Sequence, residues 1–384
     1  MDFELSEEQL MVRTMVKDFA EKEIGPTARE DDLNEAFPRE IINKMAPLGL
    51  MGAPIPEEYG GMGLDWISYG IMIEELGYQS QAVCSTVRAH ISLGAQSILQ
   101  WGSDEMKQKY VPDMAAGKIL AGFVTTEPNV GSDIASIECM AVEDGDSCVL
   151  NGTKTWCTNG SQADYVIVIA QTDKEKKGRG LGAFLVPTDA KGYSAQAMHG
   201  KMGLRASDSA EIALEDCRIP KENIIGKVGD GFKVAMSAFD RTRYCVAAGA
   251  VGALQMCVDA SAKYVNDRSQ FGRQLGTFQL VQELIAEMRV ECEAGRLLVY
   301  RAGYLKDQGK PDTIATSMAK WYATEAAFKG ANNAIQVHGS YGYTNEYPLE
   351  RTLRDVKACT ILEGTSQMHK LIIGRDTTGL AAFG

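Results

Sequence analysis

A single carboxylate near the C-terminal end of this 384-residue chain, Glu363, lies among apolar residues in the segment 360–367. Burial disfavours the charged form of a carboxylate and raises its pKa toward the value that a general base needs at neutral pH. Gly364 follows directly, and a glycine lets another group approach the backbone closely. Taken alone, the pattern also fits a helix N-terminus at which Thr365 or Ser366 caps and Glu363 faces solvent. The choice between these interpretations depends on what else the chain contains.

Two further blocks of residues accompany Glu363. Residues 336–355 read Gln-x-x-Gly-Ser-x-Gly-Tyr and then present an acid, a base and an acid at Glu346, Arg351 and Asp355. A second block, at residues 126–133, reads Thr-Glu-Pro-Asn-Val-Gly-Ser-Asp.

Taken with Glu363, these blocks resemble the two signatures of the acyl-CoA dehydrogenase family, and the resemblance runs over essentially the whole chain. The chain departs from the family pattern at Thr125, where an aliphatic residue is usual, and at Val130, where a small residue is usual. Three separated motifs in the right order favour the general-base interpretation of Glu363 over the capping one.

The resemblance implies an enzyme that oxidises a saturated acyl-CoA thioester to the 2,3-enoyl-CoA. A proton leaves Cα and a hydride leaves Cβ, so the reaction needs a positioned base, donors to the developing enolate oxygen and a hydride acceptor. By resemblance, Glu363 is the base and its backbone N–H helps to hold the thioester oxygen. FAD is the implied cofactor and accepts the hydride at N5. Electron-transferring flavoprotein is the implied partner, and the implied assembly is a homotetramer built as a dimer of dimers.

The resemblance also implies which residues contact FAD. The implied contacts from the same subunit are Thr125, Thr126, Ser132, Trp156, Thr158, Thr365 and Gln367. The residues implied to reach the flavin of a neighbouring subunit are Arg268, Phe271, Gln279, Gln336, Gly339 and Ser340.

Each of these segments also has a structural interpretation when taken alone. The stretch 125–132 is then a hydroxyl-rich turn, and Trp156 is a core residue on a β-strand. Arg268 is then a cation that stabilises the C-terminus of a helix.

The positions implied to contact coenzyme A and the thioester lie in three separate segments. They are Ser132, Phe239, Asp240, Arg243, Gly364 and Arg375. Residues 239–243 are expected to open a long helix, where Asp240 alone fits plain stabilisation of the helix dipole. Some family members supply the base from the position of Thr242, but Thr cannot do that work, so Glu363 is the only candidate base.

The acyl pocket gives a less definite prediction. Glutaryl-CoA members of the family use an Arg at the position of Cys84, whereas this chain has Arg88 one helical turn further on. Arg88 is expected either to pair with a carboxylate on the substrate or to pair with a protein acid or reach solvent. Leu362 replaces the Tyr often found before the base. A short, branched, cyclic or dicarboxylic acyl group is therefore expected rather than a long straight chain.

The pattern along the chain predicts a mostly helical protein with a β middle domain. An α-helical N-terminal domain is expected over residues 1–120, a β-barrel-like domain over 121–230 and a helical-bundle domain over 231–384. Apolar runs at 165–170 and 183–186 predict strands, and Asn151-Gly152 predicts a hairpin turn. By resemblance, the last domain is a four-helix bundle.

Composition excludes several function classes. The net charge of −12 argues against nucleic-acid binding, and the apolar runs are too short for membrane insertion. Nine scattered cysteines and four histidines form no metal-binding motif and suit reduced thiols, so a cytoplasmic location and no metal are expected. Residues 178–183 match a loose dinucleotide pattern, but no strand precedes them, so a Rossmann site is not expected.

Two other functions remain open at this point. An acyl-carrier-protein dehydrogenase or an acyl-CoA oxidase would use the same fold with a different partner. A non-enzymatic helical scaffold would leave Glu363, Trp156 and Thr158 as coincidences.

Overall fold

Helices occupy both ends of the chain and strands occupy its middle in the structure, a computed structural model that describes residues 4–382. The helices of the first part are α1 (Glu7–Phe19), α2 (Ala28–Asn34), α3 (Arg39–Met45), α4 (Trp66–Gln79), α5 (Gln81–Arg88), α6 (Gln96–Trp101) and α7 (Asp104–Ala115). A π-helical segment, Ala89–Ala95, continues α5. Such segments are often found at functional sites.

The middle part contains eight strands. They are β1 (Ala121–Val124), β2 (Met140–Asp144), β3 (Ser147–Thr158), β4 (Tyr165–Gln171), β5 (Leu181–Pro187), β6 (Tyr193–Ala197), β7 (Ser209–Pro220) and β8 (Ile224–Ile225). The last part contains α8 (Gly231–Asp267), the short strands β9 (Ser269–Gln270) and β10 (Arg273–Gln274), and then α9 (Gln279–Asp307), α10 (Thr313–His338), α11 (Leu349–Cys359) and α12 (Ser366–Thr378). The predicted fold class is confirmed.

The start of α1 shows how local sequence sets these elements. The Ser6 hydroxyl accepts a hydrogen bond from the Gln9 N–H, and the Gln9 side chain accepts one from the Ser6 N–H. This capping box satisfies two backbone donors that the first helical turn leaves free. Val16 on the inner face of α1 and Ile24 just beyond it are fully buried.

The sheet has the order β6-β7-β3-β2-β4-β5-β8, and β1 pairs in parallel with β4. The predicted strands at 165–170 and 183–186 are confirmed as β4 and β5. The predicted hairpin turn at Asn151-Gly152 is wrong, because β3 runs straight through it with a shift of register against β7. A Cβ at residue 152 would lie 2.8 Å from Cys139 Cα, so glycine is needed there for close packing.

Helix α8 is the central element of the last part, and it packs against α4, α9 and α10. It begins at Gly231, so Phe239 and Asp240 lie more than two turns inside it. The interpretation of Asp240 as a helix-dipole residue is therefore wrong. By length and hydropathy α8 alone, among the described residues 4–382, resembles a membrane span, but 78% of its most apolar window is buried inside the protein. It is a core helix, and its Arg243 contacts the turn between α11 and α12.

Candidate active site

Glu363 lies in the turn that joins α11 to α12. The turn begins where the Ile361 and Leu362 N–H groups both donate to the Ala358 carbonyl, and it ends where the Thr365 hydroxyl caps α12. Glu363 itself has a φ of 57°, a left-handed conformation that costs a non-glycine residue of order 1–3 kcal/mol. Thr365 thus caps the helix as one interpretation expected, but the Glu363 side chain turns inward and is only 15% exposed.

Two cations hold the backbone of this turn. Arg243 Nε of α8 donates to the Glu363 carbonyl at 2.8 Å, and Lys320 Nζ of α10 donates to the Gly364 carbonyl at 2.7 Å. Gly364 has a φ of 95°, and a Cβ there would lie 3.3 Å from Arg243 Nη2. A glycine is therefore required by both the torsion angle and the approach of the guanidinium.

Arg88 approaches the same carboxylate from α5. Its Nη1 lies 3.9 Å from Glu363 Oε1, and its Nη2 donates to the Ser85 hydroxyl at 3.1 Å. The Arg88 side chain is only 6% exposed. Of the two interpretations of Arg88, the structure shows the pairing with a protein acid, and that acid is the candidate base.

The environment sets the proton affinity of Glu363. Burial raises its pKa above the usual value for Glu, and the charges of Arg88, Arg243 and Lys320 lower it without cancelling the effect of burial. A general base needs a pKa closer to neutral pH than that of an ordinary Glu, and it must also be able to ionise. Burial supplies the first condition for Glu363, and the three cations favour the second.

Phe239 and Asp240 form a wall beside the turn. Asp240 Oδ1 accepts from Arg243 Nη1 at 3.1 Å, while its Oδ2 accepts from the Thr313 hydroxyl at 2.7 Å. The Arg243 guanidinium lies 5.6 Å from the centre of the Phe239 ring. Arg243 therefore contacts Glu363, Asp240 and Phe239 at once. Arg375, the other predicted CoA-contacting arginine, lies exposed in α12.

The segment 126–133 folds over a buried ion pair. Lys154 Nζ donates to Glu127 Oε1 at 2.7 Å and to the Thr125 carbonyl at 3.0 Å, and both charged side chains are at most 3% exposed. Glu127 also accepts the backbone N–H groups of Glu138 and Cys139. This pair fixes the turn at the end of β1, in which Thr125 is buried, Thr126 half-buried and Ser132 exposed.

Trp156 is not a core residue. Its indole is 58% exposed and its φ is 60°, at an irregularity of β3 between Lys154 and Cys157. The strained backbone thus holds a large aromatic ring at the surface, where it can stack against a ligand. Thr158, two residues further on, is half-buried.

The residues expected to reach a neighbouring subunit lie together at the protein surface. Arg268 ends α8 and lies 5.7 Å from the ring centre of Tyr341, while Phe271 has a φ of 52° and is 92% exposed. The other members of this group, Gln279, Gln336, Gly339 and Ser340, are exposed as well. Helix α10 ends at His338, and Gly339 follows with a φ of 61°. At the start of α12, the capping residue Thr365 is half-buried and Gln367 is exposed.

Asp355, the last acid of the segment 336–355, serves the architecture of the fold. Asp355 is buried, its Oδ1 accepts the Leu204 N–H at 2.6 Å, and burial raises its pKa to about 6. This contact ties the β middle part to α11 and so to the turn that carries Glu363.

Sequence reasoning missed Lys320, His369 and the Glu127–Lys154 pair. Lys320 lies in an Ala-rich helix with no motif around it, and its partner is a backbone carbonyl 44 residues away. His369 is fully buried in α12, and burial lowers its pKa to about 3, so it is a neutral residue behind Gly364. Among the described residues, no group of three or more His, Cys, Asp or Glu side chains could hold a metal ion.

Comparison with known protein families accounts for nearly the whole chain. Residues 6–118 match the acyl-CoA dehydrogenase N-terminal domain, residues 122–217 the middle domain and residues 229–378 the C-terminal domain.

Similar proteins match over the same length. The chain is 42% identical over 385 residues to glutaryl-CoA dehydrogenase of Desulfococcus multivorans, covering 99% of each chain. It superposes with a TM-score of 0.96 on butyryl-CoA dehydrogenase of Megasphaera elsdenii, at 36% identity over 98% of this chain and 100% of that one. A third match, from a structure described as electron-transferring flavoprotein of Acidaminococcus fermentans, has a TM-score of 0.97 at 42% identity, over 98% of this chain and 100% of that one. With its three domains in order and its candidate base in the turn before α12, the chain belongs to the acyl-CoA dehydrogenase family.

Proposed function

We propose that the protein uses FAD to oxidise an acyl-CoA to the 2,3-enoyl-CoA, with Glu363 as the base that removes the α-proton. The observation that carries this proposal is the inward-facing Glu363 carboxylate, held in a left-handed turn by Arg243 and Lys320 and facing Arg88. A base whose backbone is fixed from two sides can be kept at the short distance from Cα that proton removal requires.

The residues of the chain fit a flavin. Members of the family use FAD. The exposed indole of Trp156 offers a face for the ring system, and the turn 125–132 offers hydroxyl and backbone donors for its polar edge and the diphosphate. Bound FAD supplies the hydride acceptor for Cβ. Within this chain, Thr125, Thr126, Ser132, Trp156, Thr158, Thr365 and Gln367 are the residues proposed to hold it.

The chain's own groups divide the remaining work. Glu363 takes the α-proton on its carboxylate, and its backbone N–H, which donates to no group within residues 4–382, is free to hold the thioester oxygen. Negative charge that develops on that oxygen is stabilised by a fixed donor and by the nearby cations. We propose Phe239, Asp240, Arg243 and Gly364 as the wall along the thioester and pantetheine, with Ser132 and the exposed Arg375 also contacting the CoA substrate.

The acyl group is proposed to be short, branched, cyclic or dicarboxylic. Leu362 before the base and Arg88 in the pocket leave an environment that mixes apolar surface with one cation. The test is a panel of butyryl-, isobutyryl-, cyclohexanecarbonyl- and glutaryl-CoA with an artificial electron acceptor. Turnover of at least one of these is expected, and turnover of none of them would contradict the proposal.

Arg88 is the residue proposed to determine whether the enzyme prefers a dicarboxylic or a neutral acyl group. If a substrate carboxylate is its second partner, Arg88→Leu is expected to lower the ratio of kcat/KM for glutaryl-CoA to that for butyryl-CoA. The expected shift is on the order of 2–5 kcal/mol, because the substrate carboxylate loses its partner. The ratio is the proper readout, since the loss of the Arg88 charge next to Glu363 affects both substrates alike. A ratio that favours butyryl-CoA in the wild type and is unchanged in the variant would mean that Arg88 serves Glu363 alone.

The proposed partners are electron-transferring flavoprotein and further copies of this chain, in a homotetramer located in the cytoplasm. The exposed group at the end of α8 and α10 supports a subunit contact, since Phe271 and Tyr343 are 92% and 84% exposed. The similarity to a chain from a structure of electron-transferring flavoprotein supports the redox partner.

Arg268→Ala is expected to weaken FAD retention and oligomer stability together. A ligand that binds only the assembled state stabilises that state, so loss of a contact across subunits affects both. Sedimentation and flavin content are measured on the same samples, with Arg218→Ala as the control because Arg218 lies in a surface ion pair on β7. A fully flavin-loaded, active monomer would refute the cross-subunit contact.

A further inference from the structure

Lys320 is a buried cation that contacts the turn carrying the proposed base. Its side chain is fully buried within α10, and its Nζ donates to the Gly364 carbonyl at 2.7 Å. It forms no ion pair with any carboxylate in the part of the chain that the structure describes. A buried ammonium group without a close acid is costly, so its position calls for a physical reason.

Lys154 provides the contrast. It too is fully buried, but Glu127 lies 2.7 Å from its Nζ and compensates its charge. For Lys320 the ionisable groups that stabilise the charged form are Cys359 and Glu363, and the thiol of Cys359 is kept protonated because burial raises its pKa. The Glu363 carboxylate is therefore the negative charge that favours the charged form of Lys320.

The two carbonyl contacts also fix the geometry of the base. Arg243 holds the carbonyl of Glu363 and Lys320 holds the carbonyl of the next residue, Gly364. Because peptide groups are planar, anchoring two successive carbonyls restrains the backbone on the C-terminal side of Glu363. The left-handed conformation of Glu363 persists only if such contacts maintain it.

We propose that Lys320 is a positioning residue, which holds the peptide after the base and whose charge favours the ionised Glu363 and the developing enolate. This inference rests on the proposed function, because it assigns Lys320 a role through Glu363. Lys320 does not itself contact the substrate, since none of its side chain is exposed.

The charge balance around Glu363 gives the expected effect of pH. The charged and titratable groups around the turn are Arg88 from α5, Asp240 and Arg243 from α8, Lys320 and Glu325 from α10, Cys359 from α11 and His369 from α12. His369 is neutral at assay pH, because burial and the two nearby cations lower its pKa to about 3. A nearby cation favours a carboxylate's charged form, so removal of the Lys320 charge raises the pKa of Glu363 and moves the acid limb of the pH–rate profile to higher pH.

Two variants separate the hydrogen bond from the charge. Lys320→Met removes both, whereas Lys320→Gln removes the charge and keeps an N–H donor for the Gly364 carbonyl. Both are expected to move the acid limb of kcat/KM upward. The Met variant is expected to lose on the order of 10- to 10²-fold in kcat, with the Gln variant retaining more and KM little changed in either.

The control is Lys306→Met, since Lys306 is another buried lysine of the C-terminal part and pairs with Asp312. It is expected to leave the acid limb in place, whatever its effect on stability. Glu363→Gln is assayed in parallel, and an active Glu363→Gln would refute the proposed function itself. If Glu363→Gln is inactive while Lys320→Gln keeps the wild-type kcat and pH profile, the role of Lys320 is refuted and the proposed function stands. The Gln variant carries this test even where Lys320→Met is too unstable to purify.

Discussion

Glu363→Gln is expected to lower kcat by roughly 10²–10⁴-fold, because the amide has the shape of the carboxylate but cannot accept the α-proton. The fold and the bound flavin should be retained, since the backbone contacts from Arg243 and Lys320 go to main-chain carbonyls and do not depend on the side chain. Steady-state turnover, the visible flavin spectrum and the melting temperature are measured on one preparation.

The matched control is Glu287→Gln, which changes an exposed acid paired with Lys329 on the helical surface. It is expected to keep wild-type turnover. More than half of the wild-type rate in Glu363→Gln would place the base elsewhere in the chain.

Glu127→Gln is expected to have the largest effect on stability. It leaves the Lys154 ammonium buried without its acid and weakens the bonds to the N–H groups of residues 138 and 139. Breaking a buried ion pair by neutralising one partner costs about 3–5 kcal/mol. Because Lys154 also holds the Thr125 carbonyl, the affinity for FAD should fall as well.

Glu143→Gln is the control for this comparison. Glu143 pairs with Lys221 at the same distance of 2.7 Å, but their side chains are 57% and 40% exposed. An exposed pair contributes only ~0–1 kcal/mol. Chemical denaturation of the flavin-free proteins measures both changes. Equal losses in the two variants would show that burial of the Glu127–Lys154 pair does not determine its contribution.

The local sequence pattern predicted those helices and strands whose structure depends mainly on residues close in sequence. The alternation of helical and strand-like segments indicated helical ends and a β middle part, and the apolar runs at 165–170 and 183–186 indicated β4 and β5. Asn151-Gly152 failed as a turn signal because pairing of β3 with its neighbours on both sides overrides the local preference.

The sequence predicted some residues of the candidate site but not the contacts that position them. Glu363, Gly364 and Thr365 carry a recognisable motif, but the conformation of the turn depends on Arg243 and Lys320, which approach from two other helices. The exposure of Trp156 is set by an irregularity in β3 that no propensity indicates. Arg88 was expected in the acyl pocket, yet its contact with the base depends on how α5 packs beside the turn. Long-range packing, which the sequence does not state directly, decides each of these.

Anaerobic mixing of the flavin-loaded protein with an acyl-CoA tests the central claim most directly, because it isolates one half-reaction from any electron acceptor. With the best substrate of the panel, the wild type is expected to lose its visible flavin absorbance and to form one 2,3-enoyl-CoA per flavin, while Glu363→Gln keeps its absorbance. Bleaching of Glu363→Gln at the wild-type rate, or a wild type that no acyl-CoA of the panel bleaches, would contradict the account.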